Sequence, residues 1–188
     1  MRKVIAAINM TIDGFCDHTA GIADDELHEH YSDLLRNADT ILYGRITYQL
    51  MEYWRPLLKN PSGNKPHDEF AATIDKISKV VFSHTLKNVD WNNTRLADRD
   101  IKEEVLALRQ QPGKAILVGS PSLIVSLTEL KLIDEYQLCI HPVILGSGLP
   151  LFKNISEKIM LKLIKTKTFG SGAVTHYYVP AKNDSNKS

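Results

Sequence analysis

The chain has 188 residues, enough for one compact domain of ordinary size and too few for two. With 43% hydrophobic and 24% charged residues it can build a full core, and it carries no compositional sign of disorder. A formal net charge of +1 excludes a global electrostatic case for nucleic acid or an acidic membrane surface, so any anion site must be made by a few placed groups.

The chain opens Met1-Arg2-Lys3 and runs straight into a short apolar segment, 4–8, that reads as a buried strand. No leader-like apolar stretch precedes it, and no apolar run approaches the ~20 residues of a membrane span; the expected location is cytoplasmic, with no membrane partner. Residues 25–37 place Leu27, Tyr31, Leu34 and Leu35 on one stripe behind an acidic start, the pattern of an amphipathic helix. A second strand is expected over 40–43, then a short helix carrying Ile46, Leu50 and Trp54. Residues 59–66 hold Pro, Ser, Gly and Asn and read as a surface loop.

A third strand is expected over 79–82, and a helix over 101–109, where Asp100 and Glu103 resemble a capping box. The strand 115–118 leads to Ser120-Pro121, an N-cap followed by proline at the first helical position; the helix it opens carries Leu123, Ile124, Leu127 and Leu130. Further strands are expected over 136–140, 159–164 and 173–179, the last two joined through Gly170-Ser171-Gly172 as an antiparallel pair. Residues 181–188 are polar and expected to fray. The order is βαβαβ…βαβα followed by strands alone. That implies a single α/β domain over 1–180, with a mainly parallel central sheet, helices on both faces and antiparallel C-terminal edge strands.

Metal and disulfide chemistry find no support. The seven histidines are scattered, and His28 and His30 fall on different faces of one helix. Cys16 and Cys139 would pair structurally only along a secretory route. The His-x-Glu and Pro-Cys-x-x-Cys of zinc deaminases are absent.

Ligands of open α/β sheets gather at the carboxyl ends of strands, and three such ends carry small, polar or basic residues. In the first, Gly44 lets a phosphate approach the backbone, the following helix offers free N–H groups, and Arg45 and Thr47 add donors. The second is Ser83-His84-Thr85. The third is Gly119-Ser120-Pro121-Ser122, again at a helix start. Each alone also reads as an ordinary turn or a well-capped helix. Together they suit a dinucleotide with separated phosphates. The Rossmann fingerprint and the Walker loop are both absent; Gly146-Ser147-Gly148 is followed by Leu149-Pro150-Leu151.

The spacing of Gly44-Arg45-x-Thr47-Tyr48, Ser83-His84-Thr85 and Val118-Gly119-Ser120 resembles the dihydrofolate reductase superfamily. More closely, the chain is similar to the reductase family typified by the C-terminal domain of the bifunctional riboflavin-biosynthesis protein RibD. That likeness rests on Ile12-Asp13-Gly14-Phe15, on Leu132-Ile133-Asp134-Glu135-Tyr136, and on the run from Pro142 through Gly146-Ser147-Gly148 to Phe152. It extends over residues 2–180.

The resemblance implies NADPH as hydride donor and a pterin-like or pyrimidine-like ring as acceptor, similar to the substrate of 5-amino-6-(5-phosphoribosylamino)uracil reductase. It implies that Gly44, Arg45 and Thr47 meet the pyrophosphate and adenosine phosphates, and that Ser83, His84 and Thr85 lie at the adenosine end and its 2′-phosphate. Gly119, Ser120, Pro121 and Ser122 would line the middle of the cofactor, with Ala7 beside the nicotinamide. Asn9, Asp13 and Gly14 would flank the substrate, with Asp13 also a candidate proton donor. The resemblance departs at two places: many relatives carry arginine where His84 stands, and the superfamily often has Gly-Gly where Gly119-Ser120 stands. A homodimer is implied as well, and the apolar segment 138–151 is the expected contact across a two-fold axis. Two other readings stay open: a nucleotide-binding module or sensor of the same fold without turnover, and a purely structural domain.

Overall fold

The computed structural model describes residues 1–181; the expected frayed tail, beyond Ala181, lies outside the described residues. Eight strands form one sheet in the order β4-β3-β2-β5-β1-β6-β8-β7. The strands are β1 (Val4–Thr11), β2 (Ala38–Gly44), β3 (Ser78–Phe82), β4 (Thr94–Leu96), β5 (Ala115–Val118), β6 (Glu135–His141), β7 (Leu161–Thr168) and β8 (Val174–Pro180). The first six pair in parallel, and β8 and β7 close the sheet antiparallel. Five helices cover it: α1 (Asp25–Arg36), α2 (Arg45–Met51), α3 (Lys65–Lys76), α4 (Ile101–Gln110) and α5 (Pro121–Glu129).

Strand alternation divides the core in two. Val4, Ala6 and Ile8 of β1 pack with Val105 and Leu108 of α4 and Leu123, Ile124 and Leu127 of α5. On the opposite face Ile5, Ile41, Tyr43, Val81 and Leu117 pack with Leu35 of α1 and Phe70 and Ile74 of α3. The near-continuous apolar runs of these strands follow from burial on both sides.

Several expectations are corrected. Helix α3 begins where a loop was expected: the Asn64 side chain accepts the His67 N–H, proline stands in the first turn, and Phe70, Ala71 and Ile74 are buried. The expected Ile46–Leu50–Trp54 stripe is not a core face. Ile46 is 64% exposed and Tyr48 is buried instead, while Trp54 falls in a 3₁₀ segment, Glu52–Leu58, and packs on Phe70. Strand β7 lies further along than expected, at Leu161–Thr168, because an edge strand exposed on both faces needs no alternation. A short β4, not foreseen, extends the opposite edge.

Of the segment 138–151 expected to carry a dimer, the part within β6 has no free edge, whereas Ile144, Leu145 and Leu149 beyond it are exposed. Strand β6 is interior, hydrogen-bonded to β1 and β8, and so has no free edge to offer a second chain. Among the described residues the free edges are those of β4 and β7, and β7 exposes Leu163 and Ile164.

Helix α1 sits beside the β7–β8 ribbon. There His30 packs against Phe169, ring centroids 5.3 Å apart. Burial, reinforced by Lys167 and Lys165, pushes its imidazole down to about 4. The unfolded chain binds the proton near pH 6.5, so between about 6.5 and 4 it holds more protons than the folded one. Stability should therefore fall by about 2 kcal/mol as the pH drops through that window. His30→Gln should flatten this acid limb in urea titrations at pH 7 and 4.5, and an equally steep limb in the variant would assign the loss to other groups.

Candidate functional site

Because β1, β2, β3, β5 and β6 run parallel, their carboxyl ends share one edge of the sheet. A groove of about 1080 Å³ opens there, lined by Gly44, Arg45 and Thr47, by Ser83, His84 and Thr85, and by Ser120, Pro121 and Ser122. The three strand ends singled out from sequence therefore meet in one place. Gly119 stands behind this wall, where an added Cβ would come within 3.2 Å of the Tyr43 ring.

The groove's floor is made by an unusual use of Ser120. It occupies the N-cap of α5 but makes no side-chain bond to that helix. Its Oγ accepts the Gly44 N–H across 2.8 Å, tying the start of α2 to the start of α5. Neither helix is capped by a side chain, so the first-turn N–H groups of both are left for a ligand. Gly44 has φ −79°, open to any residue. Its missing Cβ would sit 3.6 Å from Ser122 Oγ and 3.7 Å from Ser120 Oγ. Both contacts are ordinary van der Waals distances, so neither the backbone angle nor the chain's own neighbours demand glycine at this position.

Around that floor stand charged residues of both signs, with Asp98, Asp100 and Glu129 beside the cations and Asp98 3.9 Å from Arg99. Arg45 is exposed and holds only Gln49, 3.2 Å away. Arg99 and Lys153 also line the groove, and sequence reasoning missed both. Arg99 follows the three-residue β4, too short to be seen as a strand end, and Lys153 closes the glycine-rich run whose likeness was noted without a role. Ser83 accepts the N–H groups of Thr85 (3.1 Å) and Leu86 (2.9 Å), so its oxygen shapes the turn while His84 and Thr85 remain exposed.

The remaining candidates lie along β1. Pairing with β5 ends at Ala6, opposite Val118, whereas pairing with β6 continues to Thr11. The sheet therefore opens on one side of Ala7 and Asn9. Asn9 Oδ1 accepts from Tyr31 Oη at 2.9 Å and lies 3.0 Å from His141 Nε2. His141 is buried, and its Nδ1 accepts the Ile22 N–H at 3.0 Å. Burial lowers the His141 pKa, which keeps the ring neutral with its proton on Nε2.

Asp13 follows β1 in the turn that meets the loop after β6. Its carboxylate accepts from the Thr11 hydroxyl and from the N–H groups of Leu145 and Gly146, the last at 2.7 Å. The Thr11 hydroxyl and these amides hold its pKa below the usual carboxylate range. Gly14 beside it closes the turn at φ +88°, donating to the Thr11 carbonyl. This geometry ties Asp13 to the loop after β6.

The sheet order, the antiparallel closure and the cofactor-sized groove at the switch point define a dihydrofolate-reductase-like α/β fold. The model of the RibD C-terminal domain matches residues 2–175, and the chain belongs to that family. The uncharacterized protein YyaP of Bacillus subtilis (strain 168) is 38% identical over 183 residues, covering 94% of each chain. Among solved structures, the diaminohydroxyphosphoribosylaminopyrimidine deaminase/5-amino-6-(5-phosphoribosylamino)uracil reductase of Thermotoga maritima superposes with a TM-score of 0.67 at 17% identity, covering 96% of this chain and 57% of that one. Dihydrofolate reductase from Enterococcus faecalis, complexed with NADP(H), superposes with a TM-score of 0.64 at 11% identity, covering 96% and 97%.

Gly44→Ala separates the groove's two roles. The fold should be unchanged or slightly firmer, because alanine is allowed there and restricts the unfolded chain. With NADPH as the probe, a rise in melting temperature seen in the parent should be lost in the variant; a retained rise would show that no phosphate approaches Gly44.

Proposed function

We propose that the chain is an NADPH-dependent reductase of a small pterin-like or pyrimidine-like ring, acting in the cytoplasm. One observation carries this reading: two helix starts, bound to each other through Gly44 and Ser120, leave their free N–H groups facing one groove rimmed by Arg45, Arg99 and Lys153. Free helix N-termini and guanidinium forks favour phosphate groups. The family and a structural neighbour complexed with NADP(H) point the same way.

Bound NADPH would supply the hydride. The protein's part would then be to orient two rings and exclude water. Gly44, Arg45, Thr47 and Ser122 would hold the phosphates, with His84 and Thr85 toward the adenosine end. Ala7 and Asn9, where β1 outruns β5, would lie against the reacting rings. The latched state of Asp13 favours a second reading, a nucleotide-binding module of this fold without turnover. NADPH oxidation followed at 340 nm against pterins and aminouracils separates the two.

Arg45 is the decisive residue on the cofactor side. Arg45→Ala should weaken NADPH by about 1.5–3 kcal/mol, the scale of a hydrogen bond to a charged group. Its unliganded melting point should stay put, since the side chain is exposed. The parent should prefer NADPH to NADH by about tenfold, roughly 1.4 kcal/mol, a modest margin because His84 stands where many relatives carry arginine. An unchanged NADPH-induced shift in the variant would make Arg45 an ordinary surface residue.

A homodimer belongs to the same proposal, with β7 as a contact beside the exposed Ile144, Leu145 and Leu149 of the segment 138–151. Leu163 and Ile164 are about half exposed on that unpaired edge, a costly state for a monomer. Sedimentation at micromolar concentration should give a dimer that Leu163→Lys dissociates; a monomeric parent would remove this part.

A further inference from the structure

The irregular segment 83–93 carries His84 and Thr85 at the groove, then returns to the start of β3, where β4 pairs with Lys79. Among the described residues, its backbone from His84 to Asp90 makes no hydrogen bond to other backbone groups. Side chains must therefore hold it. Only Trp91 in this segment is fully buried, at 3% exposure. Four elements meet on its ring. The Nε1 donates to the Asp75 carboxylate of α3 at 2.8 Å. The Lys79 ammonium of β3, itself fixed by three carbonyls, stands 4.7 Å from the ring centroid. The guanidinium of Arg55, in the 3₁₀ segment, lies 6.0 Å away and also donates to Asp90 at 2.8 Å. Tyr48, buried in α2 three residues after Arg45, packs on the same ring with centroids 6.2 Å apart.

We propose that Trp91 is a positioning residue: it fixes the 83–85 turn relative to the start of α2, and so sets how well the groove tells a 2′-phosphorylated adenosine from an unphosphorylated one. The inference rests on the reading of this groove as an NADPH site with His84 and Thr85 at the adenosine end. It deepens that reading by assigning selectivity to a residue that does not line the groove. The two walls belong to different elements, and hydrogen bonds to both phosphates form together only at one spacing, since such bonds weaken steeply with distance and angle. A segment with few backbone hydrogen bonds shifts at little cost unless a buried side chain anchors it. A leucine of equal burial would fill the space. It could not take a carboxylate at its edge and two cations over its face.

The probes are adenosine 2′,5′-bisphosphate and 5′-AMP, which differ by the 2′-phosphate alone. Each is titrated calorimetrically into the whole chain. The parent should prefer the bisphosphate by about tenfold. Trp91→Leu should cut that ratio to about threefold or less. Its affinity for 5′-AMP should stay, because the wall made by α2 and α5 is left in place. Trp91→Phe keeps a ring over Lys79 and against Tyr48, and should recover most of the ratio. A side chain that only filled the core would lower the melting temperature and leave the ratio alone.

Arg55→Ala carries the test should Trp91→Leu fail to fold in thermal melts. Its partly exposed side chain reaches the same ring and Asp90, and its loss should narrow the ratio by about twofold or more. An unchanged ratio in folded Trp91→Leu, equal loss of both nucleotides in that variant, no recovery in Trp91→Phe, or an unchanged ratio in Arg55→Ala would each overturn the role of Trp91. A parent that binds neither nucleotide, or both equally, would overturn the phosphate reading of the groove, and the role of Trp91 with it.

Discussion

The bond from the Gly44 N–H to Ser120 Oγ is the contact on which the groove depends. A serine at an N-cap ordinarily accepts from the second or third N–H of its own helix, worth about 1 kcal/mol. Here that oxygen is turned toward the neighbouring strand end. The capping contribution to α5 is lost and an inter-element bond of similar size takes its place, so the exchange is nearly neutral for folding. Its consequences are geometric. Adjacent strands β2 and β5 are held at matched ends, and both following helices start at one point with their N–H groups uncommitted. A methyl group at 44 would make ordinary van der Waals contact with Ser120 and Ser122.

The second constraint is the unequal length of β1 and β5. Strand β1 stands in the middle of the sheet, and its partner on one side ends four residues after it begins, at Val118, while β6 follows it to Thr11. An unpaired length of central strand is unfavourable unless something covers it. The turn after β1 meets this partly by pairing with the loop after β6. Ile12 donates to Val143, Cys16 to Leu149, and Leu151 to Gly14, with the Asp13 latch across Leu145 and Gly146. One side of the opening is thereby walled, and the other remains for a ligand.

Much of this frame was legible in the sequence because its signals are local. Short apolar runs bounded by polar residues marked the parallel strands. Gly44-Arg45, Ser83-His84-Thr85 and Ser120-Pro121 marked three strand ends that the fold brings to one groove. What could not be read depends on partners distant in the chain. Helix α3 has few core residues and starts within a loop-like stretch. Part of its definition comes from Lys79 of β3, a fully buried lysine whose Nζ donates to the carbonyls of Ile74, Asp75 and Ile77 at the helix's end. A lysine at the head of an apolar run announces nothing of the kind. Nor does an Asp-Gly pair announce that its carboxylate is tied to N–H groups more than a hundred residues away. Arg99 and Lys153 had no flanking element long enough to mark them.

Charge is divided along the site, and the division follows from what each part of the fold can hold. Arg45, Arg99 and Lys153 stand at the outer rim, where water screens them until an anion arrives, so their cost to folding is small. Toward β1 the polar groups are Asn9, the hydroxyls of Thr11 and Tyr31, and a His141 kept neutral by burial. The formal charge of Asp13 there is spent on two backbone amides and a hydroxyl. A formal charge left free beside an apolar opening would draw water into it. Neutral groups with fixed hydrogen-bond directions can discriminate one flat ring from another without doing so. The edge thus carries exposed charged groups at one end and neutral groups with fixed hydrogen-bond directions at the other.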